Sequence, residues 1–101
     1  MNRDYEKLIS AGNKAQLEKL KLPENQHKRG FDDIDIHYAV KRITEEINEL
    51  VKETFKIQEK TGYLITIPID EMDIEAVRKE AADVANFAHM IILKCDQELN
   101  K

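Results

Sequence analysis

Apolar residues recur at steps of three and four along most of this chain, and that period predicts helices. The strongest stripe is Ile36, Val40, Ile43, Ile47 and Leu50, continued by Phe55 and Ile57. It predicts an amphipathic helix that starts at Asp35, a good N-cap residue, runs to about Lys60 and stops at Gly62. A second long stripe consists of Ile74, Val77, Ala81, Val84, Ala88, Ile91 and Cys95, with Ala85 and Ile92 alongside. It predicts a helix from Asp73, another N-cap residue, to Leu99, and the small Ala81, Ala82, Ala85 and Ala88 would let a neighbouring helix approach closely. Residues 2–20 predict a first helix with a less regular face (Tyr5, Leu8, Ile9, Leu17, Leu20), broken by Gly12-Asn13 and ended by Pro23. The polar connector PENQHKRGFDD follows, with Gly30 as its bend. Residues 63–69, YLITIPI, are apolar and β-branched, and Pro68 argues against a central strand. One short strand or an extended loop is expected there, at an edge or paired with another chain.

Composition agrees with long solvated helices. Charged residues make up 36% of the chain, with three Gly and two Pro, which does not suit a turn-rich β protein. At 101 residues the chain is one domain, 1–101, with so little core that oligomerisation is a natural source of stability. The net charge of −4 is unevenly spread: residues 1–30 carry seven Lys/Arg against four Asp/Glu, and residues 31–101 nine against sixteen. A basic stretch ahead of acidic helices suits cationic side chains meeting an anionic ligand held by metal, although ordinary solvated helices carry such charges too. Nucleic acid is not an expected partner, given the negative charge and the lack of a basic recognition helix. The single cysteine, Cys95, excludes an internal disulfide and a cysteine-based zinc cage; its place in the apolar stripe makes it an expected core residue. The opening MNRDYEKLIS has no apolar run for secretion and no stretch approaches membrane-spanning length, so a cytoplasmic protein with no membrane partner is expected.

The chemistry lies in two carboxylate pairs. The second helix carries Glu45-Glu46-Ile47-Asn48-Glu49-Leu50 and the third Glu80-Ala81-Ala82-Asp83. Carboxylates three residues apart share a helix face, with Cβ atoms about 5–6 Å apart. Glu46 and Glu49 flank Ile43, Ile47 and Leu50, and Glu80 lies beside Val77, Ala81 and Val84, so each pair borders the packing seam. If the helices run antiparallel the pairs converge, and four crowded carboxylates cannot all stay ionised without a cation. A hard divalent ion would relieve that conflict. Mg²⁺ is preferred because it takes few carboxylates, keeps waters and accepts phosphates, with Mn²⁺ as a substitute. Either pair alone would be an ordinary solvated face; two of them on consecutive helices beside the seam are the less common pattern. A di-iron carboxylate bundle would need Glu-x-x-His pairs, which these motifs lack, since His89 lies six residues after Asp83. His37 and His89 read as helix-surface or interface residues.

The same residues resemble the signature of the MazG-like all-α nucleoside triphosphate pyrophosphohydrolases, Glu-x-x-Glu on one helix and Glu-x-x-Asp on a later one. RITEEINELVKE is similar to the first metal helix of that family and EAADVANFAHMI to the second, while NQHKRGF resembles a connector segment of one phage and bacterial branch. The likeness spans roughly residues 20–100. It implies an all-α fold of about three main helices per chain, with a four-helix bundle completed in a homodimer or homotetramer. It also implies Mg²⁺-dependent cleavage of a (deoxy)nucleoside triphosphate between the α and β phosphorus atoms, giving a monophosphate and pyrophosphate. Carried over by position, Glu46, Glu49, Glu80 and Asp83 would be metal ligands, and Glu45, Glu46 or Glu49 would orient or deprotonate the attacking water. The expected substrate-binding residues are Asn25, His27, Lys28 and Phe31 of the connector with Lys79 and Asn86 of the third helix. The interval from Glu49 to Glu80 is longer than in the family, because GYLITIPIDEMD stands where a short turn is usual. A basic tail used by many relatives is also missing before Lys101, so Lys28, Arg29, Lys79 or Lys94 would take its role.

Phosphoanhydride hydrolysis needs neutralised phosphates and a positioned water, and no nucleophilic side chain. That matches a chain without a Ser-His-Asp or Cys-His grouping. The competing expectation is a non-catalytic helical nucleotide-binding or protein-interaction module, whose carboxylates would pair with Lys41, Arg42, Lys52 and Arg78.

Overall fold

The computed structural model describes residues 2–21 and 35–101. The chain is mainly helical, with α1 (Asn2–Leu20), α2 (Ile36–Thr54) and α3 (Ile74–Leu99). Between α2 and α3 lie the short strands β1 (Phe55–Ile57) and β2 (Leu64–Thr66), then a 3-10 turn (Ile69–Glu71). Local chemistry sets the helix starts. The Asp35 carboxylate accepts from the backbone N–H groups of His37 (2.9 Å) and Tyr38 (3.3 Å), and the Asp73 carboxylate from that of Ala76 (3.1 Å). Each satisfies donors that a helix N-terminus otherwise leaves open.

α2 ends six residues before the expected Lys60 (60 − 54). Phe55 turns to φ −135° and ψ 155°, and residues 55–57 pair antiparallel with 64–66, Phe55 opposite Thr66 and Ile57 opposite Leu64. The YLITIPI segment therefore finds its partner inside the chain, in residues whose spacing also continued the helical stripe. Phe and Ile satisfy either period, and their strand preference wins once a β-branched partner is within reach. Gly62 does not stop a helix. It turns the hairpin at φ +73°, a conformation glycine adopts without a Cβ clash, and its N–H donates to the Gln58 carbonyl at 2.8 Å.

Cross-helix contacts fix the directions. Arg42 meets Phe87 while Glu46, one turn later, meets Glu80 and Asp83, so α2 and α3 run antiparallel. Gln16 bonds His89, Lys19 pairs with Asp83 and Glu18 with Arg78, so α1 also runs antiparallel to α3. The third helix is thus the central one, flanked by α1 and α2.

Being central changes which residues are covered. Among the described hydrophobics only Ala39 and Ala82 are buried, and on α3 the other buried residue is the polar Asn86. The expected apolar stripes are covered on one flank: Ile43 and Leu50 are half-buried, but Val40 and Ile47 remain 49% and 44% exposed. Cys95, expected in the core, is exposed, as are Ile74, Ala81 and Ile92 of the same stripe. Binary pattern assigns polar positions to water, but here Glu80, Asp83 and Asn86 occupy the seam between helices and displace the apolar stripe outwards. No helix among the described residues is long and apolar enough to cross a membrane.

Candidate metal centre

Glu46 of α2 and Glu80 and Asp83 of α3 bring one carboxylate oxygen each to within 4.8 Å of one another, all three half-buried. The spacing of α3 puts Glu80 and Asp83 on adjacent turns of one face, and the antiparallel α2 delivers Glu46 opposite them. Three anionic groups at this range repel one another. Glu80 shows the result: partial burial, then the charges of Asp83 and Glu46, raise its pKa above the ordinary carboxylate value. Oxygen donors held this close suit a hard divalent ion, so the donor set fits Mg²⁺ or Mn²⁺.

Glu49 is not brought into this group. Three residues advance an α-helix by about 300°, which leaves Glu49 about 60° round from Glu46, away from Ala39 and Leu50. Its side chain is 52% exposed and accepts from Lys52 Nζ at 3.2 Å, although its charge still reaches Glu80. Glu45 lies outside the cluster and accepts from Arg42, whose other guanidinium nitrogen donates to Glu46 at 2.8 Å, so Arg42 links it to the triad. The Glu45 bond in turn raises the pKa of Arg42, so the guanidinium is a permanent cation beside the cluster.

Two residues that local spacing did not single out join the site from α1. Lys19 Nζ lies 3.4 Å from an Asp83 carboxylate oxygen, with side chains 19% and 18% exposed. Gln16 is buried and its Nε2 donates to Nδ1 of His89 at 2.9 Å. With Leu17, Leu20, Asn86 and Met90, this pair lines a largely apolar cavity of about 310 Å³, one helical turn beyond Asp83. Asn86 is 7% exposed and its Oδ1 has no hydrogen-bond partner among the described residues. An unsatisfied buried acceptor costs about 1–3 kcal/mol, and this oxygen is itself closed off, so it is a cost to the fold unless the cavity wall shifts to admit a donor. His89, expected at a surface or interface, is exposed yet serves as this cavity's hydrogen-bonded wall. The signal available for Gln16 was a polar residue inside the Ile9-Leu17-Leu20 face; Lys19 left none.

Of the other expected substrate-binding residues, Lys79 is exposed on α3, and Asn25, His27, Lys28 and Phe31 lie outside the described residues. Lys94, considered as a substitute for a basic tail, pairs with Glu98 at 3.1 Å. Compared with family models, curated proteins and solved structures, the chain gives no match.

Proposed function

We propose that this chain is a Mg²⁺-dependent nucleotide pyrophosphohydrolase of MazG-like type, cleaving a (deoxy)nucleoside triphosphate to the monophosphate and pyrophosphate. The observation that carries the reading is the convergence of Glu46, Glu80 and Asp83 from two helices within 4.8 Å. Those three residues would hold the ion, with Glu49 on its outer side. Mg²⁺ bound there would neutralise charge on the phosphates. Glu45, linked to Glu46 through Arg42, would orient the attacking water and accept its proton. The cavity beyond Asp83 is at the small end of the range for ligand sites, a fitting volume for one planar base. Asn86, in the cavity wall, would contact that base, while Asn25, His27, Lys28 and Phe31 of the connector and Lys79 would add further contacts.

The reading includes a homodimer or homotetramer in the cytoplasm. Ile74, Ala81, Ile92, Cys95 and Leu99 share one face of α3 and are all exposed, an apolar strip that a second copy would cover to complete a four-helix bundle.

Release of pyrophosphate from a panel of ribo- and deoxynucleoside triphosphates, with Mg²⁺ and with excess chelator, tests the activity. Turnover lost in chelator supports the proposal; no product from any nucleotide over a range of Mg²⁺ concentrations sinks it. One observation favours the second reading, a non-catalytic module. Arg42 and Lys52 already pair with Glu45, Glu46 and Glu49 in the manner of a structural ion-pair network. Nucleotide binding without turnover would decide for it.

A further inference from the structure

The hairpin of β1 and β2 has less support than a two-stranded ribbon needs. Such a ribbon is marginal in water unless a further strand or a helix covers it. Here Ile57 and Leu64 are 68% and 56% exposed, Tyr63 is exposed too, and residues 62–69 carry no charge that would guard an edge. Backbone parity shows what the edge offers. Gln58 N–H donates to the Tyr63 carbonyl and Ile67 N–H to that of Thr54, both at 2.9 Å, so the polar groups of Tyr63, Ile65 and Ile67 point to β1. Those of Leu64 and Thr66 point the other way, to a side where no described strand lies. The outer edge of β1 is less open, because α2 runs into it at Phe55 without a break.

We propose that the free edge of β2 pairs with the same edge of a second copy, antiparallel about Ile65, so that two hairpins form one continuous sheet. In that register Leu64 of each copy lies opposite Thr66 of the other, and their outward groups exchange hydrogen bonds in both directions. The pairing also limits itself. The next outward positions, Gly62 and Pro68, fall opposite one another: Gly62 N–H is already given to the Gln58 carbonyl at 2.8 Å, and Pro68 has none. Side chains suit the register. Ile65 meets its own counterpart, and on the other face the exposed Ile57 and Leu64 continue into Thr66 and Phe55 of the second copy. Charge agrees: the exposed Asp70 and Glu71 follow the edge, and Glu59 with Lys60 forms the turn before it. Antiparallel copies set each acidic end beside a turn that carries Lys60, whereas parallel copies would bring the acidic ends together. A contact between three-residue strands is too small to hold two chains alone. It therefore joins copies already paired through α3, where two edges engage at once. The inference rests on that α3 contact and not on the metal reading.

Two measurements decide it. By light scattering the full chain should have the mass of four chains, and Thr66→Pro half of that. The proline removes an N–H that the hairpin itself does not use, and Ile65 before it is already extended, so the hairpin can keep its internal pairing. Thr66→Val retains the N–H and should retain the mass. Cross-linking then reads the register. Opposed residues of a non-hydrogen-bonded antiparallel pair have Cα atoms about 4.5 Å apart, within disulfide reach. With the native thiol removed as Cys95→Ala, Ile65→Cys should form a disulfide-linked dimer in oxidised glutathione. Tyr63→Cys, which falls opposite Ile67 of the second copy, should not. Thr66→Pro at the parent mass with its helicity intact overturns the inference, as does cross-linking that is absent or equal in the two cysteine variants. A parent of two chains that Thr66→Pro leaves at two spares the α3 contact; a parent of single chains overturns both.

Discussion

Arg42 lies over the ring of Phe87, its guanidinium carbon 5.3 Å from the ring centroid, while its nitrogens hold Glu45 and Glu46. One side chain thereby ties α3 to the acidic edge of α2. A lysine carries the same charge but neither the planar stack nor the fork. Arg42→Lys should therefore lower the unfolding free energy by about 1 kcal/mol, with Phe87→Leu coupled to it by about 0.5–1 kcal/mol in a double-mutant cycle. Chemical denaturation of the four chains measures this, and strict additivity would mean that the stack contributes nothing.

The triad predicts a ranking among acidic residues. If Mg²⁺ binds the folded chain, it should raise the melting temperature, by an amount that at 100 times Kd corresponds to about 2.7 kcal/mol. Glu46→Gln, Glu80→Gln and Asp83→Asn should each abolish that shift. Glu49→Gln should keep most of it, because Glu49 is turned towards Lys52. Scanning calorimetry with Mg²⁺ and with chelator reads the order; an effect of Glu49→Gln as large as the other three would show that Glu49 joins the ligand set on binding.

Glu80 makes stability depend on pH with a sign opposite to that of most carboxylates. Its pKa is raised on folding from the ordinary 4.5, by partial burial first and then by Asp83 and Glu46. Just above 4.5 the folded chain therefore holds more protons than the unfolded chain, and stability from this group falls as pH rises through the folded pKa. Without divalent ions, Glu80→Gln should raise the melting temperature at pH 7. The gain should shrink as pH falls towards 4.5 and vanish well below it, where both states of Glu80 are neutral. Melting curves from pH 4 to pH 8 check it, and a gain independent of pH would attribute the effect to packing.

Much of this was legible in the sequence, and the failures have a common cause. Asp35 and Asp73 cap their helices as expected because capping depends on neighbours within three residues. Glu80 and Asp83 likewise share a face by spacing alone. The pairing of Phe55–Ile57 with Leu64–Thr66 was hidden, since those residues fit both periods and only a partner strand decides between them. Lys19, Gln16 and the cavity were hidden for a stronger reason. They depend on α1 lying against α3, a contact between residues some seventy positions apart (89 − 16 = 73) that no local pattern encodes. The uncovered stripe on α3 was visible as apolar, but its neighbours within the chain were not.

That stripe yields a prediction about assembly. Ile74, Ala81, Ile92, Cys95 and Leu99 are exposed along one side of α3, with Ala85 and Ala88 half-buried beside them. Small residues flanked by Ile and Leu suit close helix–helix contact, so light scattering at micromolar concentration should give a mass of at least twice 11.8 kDa. Ala81→Glu or Ile92→Glu should shift the population to monomer by placing a charge in the contact. A monomer at every concentration tested would leave this face to another partner.

The last prediction sets stability against binding at Asn86. Its side chain is almost fully buried, beside Leu17, Leu20 and Met90, with an oxygen that no described residue satisfies. Leucine has the same branched skeleton without a polar atom, and its larger methyl groups have the cavity beside them, so Asn86→Leu removes the unsatisfied acceptor and adds apolar contact. It should therefore stabilise the chain by about 1 kcal/mol in chemical denaturation, where most buried substitutions destabilise. If a base enters the cavity and the wall shifts so that it donates to Asn86, the same change should raise KM for the accepted nucleotide by about tenfold or more, because a buried donor then loses its partner. Asn86→Asp would keep an acceptor but add a fourth charge near Glu80 and Asp83, so it should lose stability instead. A gain in stability with KM unchanged would assign Asn86 to the fold alone and empty the cavity of its proposed ligand.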